Sequence, residues 1–87
     1  MSSLKVRLIG KHILAARDLL GLTQAQLAEA AGVTEKTIMN FEKGHHEPRP
    51  ETVEAIRDAL EARGIEFRNG DNPGVQLFPD RATVTSP

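Results

Sequence analysis

The side chains best suited to chemistry in this chain lie on one predicted helix near its middle. Lys36, Asn40 and Lys43 fall on one side of that helix at about 100° per residue. Lysine carries a positive charge and donates hydrogen bonds, whereas an asparagine amide both donates and accepts them. An exposed helix edge with these groups can pair with bases, since asparagine matches adenine and lysine matches guanine. The same residues on an isolated helix would be an ordinary solvated face, so the surrounding sequence must decide.

The opposite side of this helix is apolar apart from one acid. Ile38 and Phe41 cluster there with Glu42. This side must therefore face a core, which leaves the side with Lys36 and Asn40 turned outward. An unpaired carboxylate inside a core is costly, so Glu42 requires a cationic partner from another element.

Cap and turn residues predict two short helices joined by a tight turn. Thr23 is a typical N-cap for a helix over residues 24–31. Thr34 is a typical N-cap for the next helix, which Gly44 ends. Gly32 lies in the connection, where a backbone with positive φ is expected. A helix pair of this shape, with a polar second helix, is the geometry that inserts into the major groove of DNA.

Periodicity predicts two further helices and a hairpin. Residues 10–20 and 50–63 each repeat apolar side chains at helical spacing. Residues 65–67 and 75–77 alternate instead, with turn residues between them, which predicts a β-hairpin. The predicted fold class is mainly α, a four-helix domain with a short C-terminal hairpin. The predicted segments are an N-terminal arm or short strand at 1–9, a helix-turn-helix domain at 10–63, a β-hairpin at 64–78 and a flexible tail at 79–87.

Composition narrows the classes of function. At 87 residues the chain can form one small domain, and such a domain often gains stability from a partner subunit. Cysteine is absent, which excludes disulfides, thiolate zinc sites and thiol catalysis and fits the cytoplasm. No apolar run is long enough to span a membrane, and no signal-peptide pattern opens the chain. We expect a cytoplasmic protein without a membrane partner.

The overall charge does not by itself favour a nucleic-acid partner. The formal net charge is −1, whereas DNA-binding domains are often basic. Lys36, Lys43 and Arg49 nevertheless lie within or just after the candidate helix, and acidic residues concentrate on the helix that follows. We therefore expect a local basic face, with a DNA affinity that falls steeply as salt rises.

The candidate DNA-contacting residues fall into two groups. Residues at the N-terminal end of a helix in the major groove reach deepest towards the bases, and donors from loops and helix starts bind phosphates. Glu35 accepts from cytosine in one interpretation and is only a favourable charge at a helix start in the other. The predicted base contacts are Glu35, Lys36, Thr37 and Asn40, and the predicted phosphate contacts are Gln24, Thr34, Lys43 and Arg49.

Three motifs of this region resemble the Cro/phage-repressor (XRE-type) helix-turn-helix family. They are Gln24-Ala-Gln-Leu-Ala, Gly32-Val-Thr and Ile38-Met-Asn-Phe-Glu-Lys-Gly44, and the resemblance extends over residues 13–60. It implies a double-stranded DNA partner, with phosphate bound by Gln24 and bases contacted by Glu35, Lys36 and Asn40. It also implies that Arg17 on the first helix forms a structural ion pair with Glu42.

Beyond residue 60 the chain departs from the phage repressors, which usually carry a fifth helix there. Its ending is similar to short bacterial XRE-type regulators that finish in a hairpin. The predicted hairpin can cap the core of its own subunit or add its strands to those of a partner. We favour dimerisation, because a dimer binds DNA more tightly than a monomer and its two-fold symmetry matches two half-sites.

The leading functional hypothesis is a sequence-specific transcription regulator that binds an inverted repeat as a homodimer. Repression by occupying a promoter is its default mechanism, since no effector domain is visible. The alternative is an antitoxin or protein-binding adaptor, which the acidic balance and Glu35 favour. No nucleophile–base pair or phosphate loop is visible, and His45 and His46 lack partner ligands. We therefore expect no enzyme activity, no catalytic residue, no metal and no cofactor.

Overall fold

The computed structural model describes residues 8–45, 48–68 and 74–83, and within them the fold is mainly α. Four helices precede a two-stranded antiparallel hairpin, which confirms the predicted fold class. The helices are α1 (Gly10–Leu20), α2 (Gln24–Ala31), α3 (Glu35–Lys43) and α4 (Pro50–Glu61). The strands are β1 (Ile65–Arg68) and β2 (Gly74–Leu77), and a 3-10 turn over Pro79–Arg81 follows them.

The first three helices end in the same way. Gly21, Gly32 and Gly44 have left-handed φ values of 71°, 72° and 74°, a conformation that costs glycine least. Each glycine donates its backbone N–H back to the helix that it ends. Because this cap is so short, residues 32–34 alone connect α2 to α3.

Threonine side chains begin α2 and α3. Thr23 Oγ1 accepts from the backbone N–H of Gln26 at 3.0 Å, and Gln26 Oε1 accepts from the backbone N–H of Thr23 at 2.9 Å. Thr34 Oγ1 accepts from the backbone N–H of Thr37 at 3.1 Å. These caps satisfy donors that a helix start leaves unpaired, and they fix where both helices begin.

The fourth helix ends two residues earlier than the sequence predicts. The prediction runs to residue 63, whereas α4 stops at Glu61. The backbone N–H groups of Arg63 and Gly64 bond to carbonyls three residues back instead of four. The chain thus tightens into a turn, from which Gly64, at a φ of 96°, leads into β1.

One core lies between the four helices and the inner face of the hairpin. Its largest fully buried side chains come from all four helices and are Ile13, Leu27, Ile38, Ile56 and Leu60. Ile65 and Phe67 of β1 are buried in the same core, opposite Leu77 and Val75 of β2. The hairpin therefore caps the core of its own subunit.

Two glycines allow backbones to approach closely. A Cβ atom on Gly10 would collide with the carbonyl oxygen of Phe41 and lie 2.7 Å from that of Glu42. A Cβ atom on Gly64 would collide with the carbonyl oxygen of Phe78. Gly10 thus holds the start of α1 against the end of α3, and Gly64 holds the end of the hairpin against its beginning.

Part of the segment predicted as a flexible tail is bonded to the hairpin. Arg81 Nη1 lies 2.7 Å from Glu66 Oε1, and the Arg81 guanidinium lies 3.8 Å from the centre of the Phe78 ring. The backbone N–H of Thr83 donates to the carbonyl of Ala62 at 2.7 Å. Residues 79–83 therefore differ from a free tail because an ion pair and a main-chain bond hold them to β1 and to the end of α4.

Several predictions fall wholly or partly on other residues. Of the predicted N-terminal arm or strand, the structure describes Leu8, which is buried, and Ile9, which is exposed, and neither is in a helix or strand. The rest of that segment, His46, the hairpin turn at 69–73 and residues 84–87 lie outside the described residues. No helix within the described ranges is long and apolar enough to cross a membrane.

Candidate nucleic-acid interface

The two faces of the third helix lie as the sequence predicts, with the apolar side in the core and the polar side outward. Ile38 and Phe41 are buried in the core, and the Glu42 side chain is only 6% exposed. Lys36 is exposed on the other side of α3, where Asn40 is half-buried. The outward face of α3 therefore offers a cation and an amide to any molecule that contacts it.

An open depression of about 510 Å³ lies beside this face, between α3 and the start of α4. Four predicted contacts from the α3 region and one from the following loop meet there, together with two residues that the sequence did not single out. The lining residues are Thr34, Lys36, Thr37, Asn40, Pro48, Arg49 and Thr52. The structure thus brings together five of the eight predicted DNA contacts.

The charge of this depression suits an anion. Its two charged lining residues, Lys36 and Arg49, are both basic. No acid lines it in the part of the chain that the structure describes, which does not include Glu47. Although the whole chain has a formal net charge of −1, positive charge is thus concentrated where the sequence predicts contact with DNA.

Two threonines fix the start of α3 through their hydroxyls. Thr34 and Thr37 have their Oγ1 atoms 2.8 Å apart, in addition to the cap from Thr34 to the Thr37 backbone. A hydroxyl carries one proton, so only one of them donates in this bond, and the other keeps its proton for a further acceptor. A phosphate oxygen is such an acceptor.

Three predicted contacts lie away from the depression. Glu35 and Lys43 are exposed in the first and last turns of α3. An acid at a helix start and a cation at a helix end both interact favourably with the helix dipole, so each has a structural role in this position. Gln24 is half-buried at the start of α2 and bonds to a residue of α3, as described below.

Two lining residues were missed in the sequence. Pro48 and Thr52 line the depression together with residues from the N-terminal half of α3, because the first turn of α4 lies on its other side. Thr52 lies three residues after Arg49, one helical turn on, so a helix beginning at Pro50 places both on one side. That spacing was the available signal, but it becomes informative only once the start of α4 is known to line the same depression as α3.

A buried polar network lies behind the outward face of α3. Arg17 Nε donates to Glu42 Oε2 at 2.8 Å, and Arg17 Nη2 donates to Glu42 Oε1 at 3.2 Å. Arg17 Nη1 donates to the carbonyl of Leu22 at 2.9 Å, and Gln24 Nε2 donates to Glu42 Oε1 at 2.9 Å. The network joins α1, the α1–α2 turn, α2 and α3.

Burial strengthens this ion pair. The side chains of Arg17 and Glu42 are 15% and 6% exposed, and the two parallel bonds give the bidentate geometry that arginine forms with carboxylates. The hydrogen bond to Glu42 raises the pKa of Arg17 above its ordinary value. The carboxylate that the sequence places in the core is therefore paired, and its partner is the arginine that the family resemblance implies.

The described residues give no indication of metal chemistry. No group of three or more histidine, aspartate or glutamate side chains among them is placed to hold a metal ion. His45 is exposed just after Gly44 and, like the rest of the described chain, belongs to no such cluster.

The fold and the exposed helix define the class of protein. A three-residue turn joins α2 to α3, and α3 presents a polar, locally basic face. The profile of a family described as helix-turn-helix matches residues 13–67 of the chain. The chain therefore belongs to the Cro/phage-repressor (XRE-type) helix-turn-helix family of DNA-binding transcriptional regulators.

A curated relative supports this membership. The chain is 46% identical over 50 residues to a protein of Methanothermobacter thermautotrophicus that is named an uncharacterized HTH-type transcriptional regulator. The match covers 58% of this chain and 72% of the relative.

Proposed function

We propose that this protein is a sequence-specific transcription regulator that represses by occupying an inverted-repeat operator as a homodimer. The observation that carries the proposal is the basic depression beside α3. There the structure joins the polar face of a helix to the cation of a neighbouring loop. In this proposal α3 enters the major groove, and the protein acts in the cytoplasm.

Base contacts come from the N-terminal half of α3. Lys36 and Asn40 share the outward face one helical turn apart, so both reach the floor of a groove that α3 occupies. Asn40 is the stronger candidate for specificity, because its amide can pair bidentately with adenine. Thr37 lies between them with its methyl group available for a thymine methyl, and Glu35 is proposed as a contact to cytosine.

Phosphate contacts flank these residues. Arg49 lies at the N-cap position of α4 on the far side of the depression, and Thr34 lies at the start of α3. Both are placed to bind the DNA backbone at the edge of the major groove, while α3 contacts the bases inside the groove. We assign Lys43, at the end of α3, and Gln24, at the start of α2, to phosphates further along the same strands.

The proposed dimer surface is the side of the fold where β2 lies against α1. An apolar depression there is lined by Ile9, Lys11, His12, Ala15, Gly74 and Val75. The α1 part of this strip continues one turn further to Leu19, whose side chain is 49% exposed. A second copy fits this surface because β2, Gly-Val-Gln-Leu, carries no charge and can pair with itself across a two-fold axis without repulsion.

The proposal is tested by selecting genomic fragments with the purified protein and measuring binding to the enriched site. Selection should return an inverted repeat with half-sites about 34 Å apart, and sedimentation should show two chains per site. Asn40→Ala should weaken binding to this site by about 10- to 100-fold and change binding to unrelated duplex little. Arg49→Ala should weaken binding to both DNAs and reduce the salt slope by about one.

Asp58→Ala on the exposed side of α4 is the control and should bind both DNAs as the wild type does. An equal loss on both DNAs for Asn40→Ala would contradict its assignment to a base. The antitoxin or adaptor alternative predicts a different set of results. Selection would enrich no fragment, binding to any duplex would be weak even at low salt, and a pull-down would recover a stoichiometric protein partner.

A further inference from the structure

The Glu42 carboxylate binds two side chains at once. Arg17 engages both of its oxygens, at 2.8 and 3.2 Å, and Gln24 Nε2 donates to Oε1 at 2.9 Å. An ion pair needs only the arginine. The bond to Gln24 is therefore an additional contact, and it reaches the first residue of α2, which is half-buried at the surface.

This contact fixes the orientation of the Gln24 amide. An ionised carboxylate only accepts hydrogen bonds, so it must face the nitrogen of the amide and not the oxygen. The amide nitrogen carries two protons, and Glu42 binds one of them. The second N–H remains at the start of α2, beside the backbone N–H groups that a helix start leaves without a partner inside the helix.

We propose that Glu42 is a positioning residue for DNA binding, which holds Gln24 so that the second N–H of its amide meets a backbone phosphate. This inference rests on the proposed function and deepens it. A glutamine free in solvent would lose rotamer freedom when it bound the phosphate, whereas a glutamine held by Glu42 has lost that freedom already. The contact is then preorganised before DNA arrives.

Arg17 makes a carboxylate tolerable in this position. An unpaired acid close to a phosphate would repel it, but the bidentate guanidinium balances the charge of Glu42. The carbonyl of Leu22 holds Arg17 from the other side at 2.9 Å. The position of Gln24 is thus tied to α1 and to the α1–α2 turn as well as to α3.

The test replaces the ion pair by apolar residues of similar size. The paired substitution Arg17→Met with Glu42→Leu leaves the net charge unchanged, and such replacements of buried ion pairs are often neutral for stability. It removes the acceptor of Gln24 and keeps Gln24 itself. The DNA affinity of this double variant is compared with that of Gln24→Ala and of the triple variant, over a salt series and at a temperature where circular dichroism shows all of them folded.

The double variant and Gln24→Ala should each weaken DNA binding by about 3- to 10-fold at every salt concentration and leave the salt slope unchanged, because neither removes net positive charge. The triple variant should be no weaker than Gln24→Ala, because the two changes remove the same contact. Glu29→Gln, on the exposed side of α2, is the control and should not weaken binding. Two results would overturn the proposal. The double variant could bind DNA with the wild-type affinity, or the triple variant could lose affinity by the product of the two separate losses.

A second measurement does not depend on any variant folding. In the free wild-type protein, NMR relaxation should show the side-chain amide of Gln24 to be more rigid than that of Gln76, which is exposed on β2. Equal mobility of the two amides would refute the positioning role. If the wild type bound no duplex, both the proposed function and this inference would fail. If it bound DNA but Gln24 and Glu42 contributed independently, only this inference would fail.

Discussion

Two ion pairs of nearly equal length join different regions of this molecule. Arg17 and Glu42 lie 2.8 Å apart inside the helical part, and Arg81 and Glu66 lie 2.7 Å apart on the hairpin. Their surroundings differ. The first two side chains are 15% and 6% exposed, whereas Arg81 and Glu66 are 58% and 39% exposed.

The distance between the charged atoms therefore says little about how much each pair contributes to the stability of the fold. The buried pair is bonded at two points and surrounded by protein, so losing one partner leaves an uncompensated charge. The exposed pair competes with water, and salt screens it. The comparison indicates that a buried ion pair joins α1 to α3 behind the outward face of α3, whereas an exposed one joins the segment after β2 to the hairpin.

The largest effect is expected at the buried pair. Glu42→Ala leaves Arg17 without its carboxylate and Gln24 without its acceptor, and we expect it to lower the free energy of unfolding by about 3 kcal/mol. Urea denaturation followed by circular dichroism measures this loss. For a domain of 87 residues it should lower Tm by more than about 10 °C.

The apolar replacement of both partners sharpens this prediction. Arg17→Met with Glu42→Leu should stay within about 1 kcal/mol of the wild type, because no charge is left buried alone. A loss of about 3 kcal/mol in this double variant as well would mean that the ion pair itself, and not the exposure of one partner, stabilises the fold.

A smaller effect is expected at the hairpin. Arg81→Ala removes an exposed ion pair and a contact with the Phe78 ring, and we expect a loss of about 0.5–1 kcal/mol. Arg81→Lys keeps the charge and separates the two contributions, because lysine loses the planar stacking on the ring. A loss comparable to that of Glu42→Ala would contradict the contrast between the two regions.

The smallest effect concerns His12, which lies where the two regions meet. Its ring is edge-on to Phe67, with centroids 6.3 Å apart, and its Nδ1 accepts from the backbone N–H of Ile9 at 3.1 Å. Burial lowers the pKa of His12 below its ordinary value of about 6.5. Between the ordinary pKa and the lowered pKa of the folded protein, the unfolded chain binds the proton more readily than the folded one. The free energy of unfolding must therefore fall as the pH falls through this window.

Replacement of His12 by glutamine tests this pH dependence. Glutamine can still accept from Ile9 at the same helix position but does not titrate. Denaturation between pH 7 and pH 5 should show the wild type losing a few tenths of a kcal/mol more than His12→Gln. Parallel curves for the two proteins would show that His12 makes no contribution to the acid sensitivity of the fold.

The helical part of the fold was readable in the sequence because its signals are local. Thr23, Thr34 and Gly32 mark where helices begin and end, and periodicity on α3 identifies Ile38 and Phe41 as inward-facing. Each of these features depends on neighbours within a turn or two of chain, so no tertiary information was needed.

The candidate site was less accessible to the same reasoning. The bond between Gln24 and Glu42 links residues 18 positions apart, and Thr52 joins the depression only because the first turn of α4 opens onto it. The attachment of Arg81 to the hairpin likewise depends on a contact between residues that are far apart in the sequence. Sequence periodicity places a side chain on a face of a helix, but it does not identify the element opposite that face.

Gly10 is the point at which the backbones of α1 and α3 come into contact. Because the main chain of α3 occupies the place of its Cβ atom, backbone atoms in contact set the distance between the start of α1 and the end of α3. A related protein with any larger residue at this position must space these two helices more widely. A glycine at this position in a related protein therefore indicates that its third helix can lie as close to its first helix as α3 lies to α1.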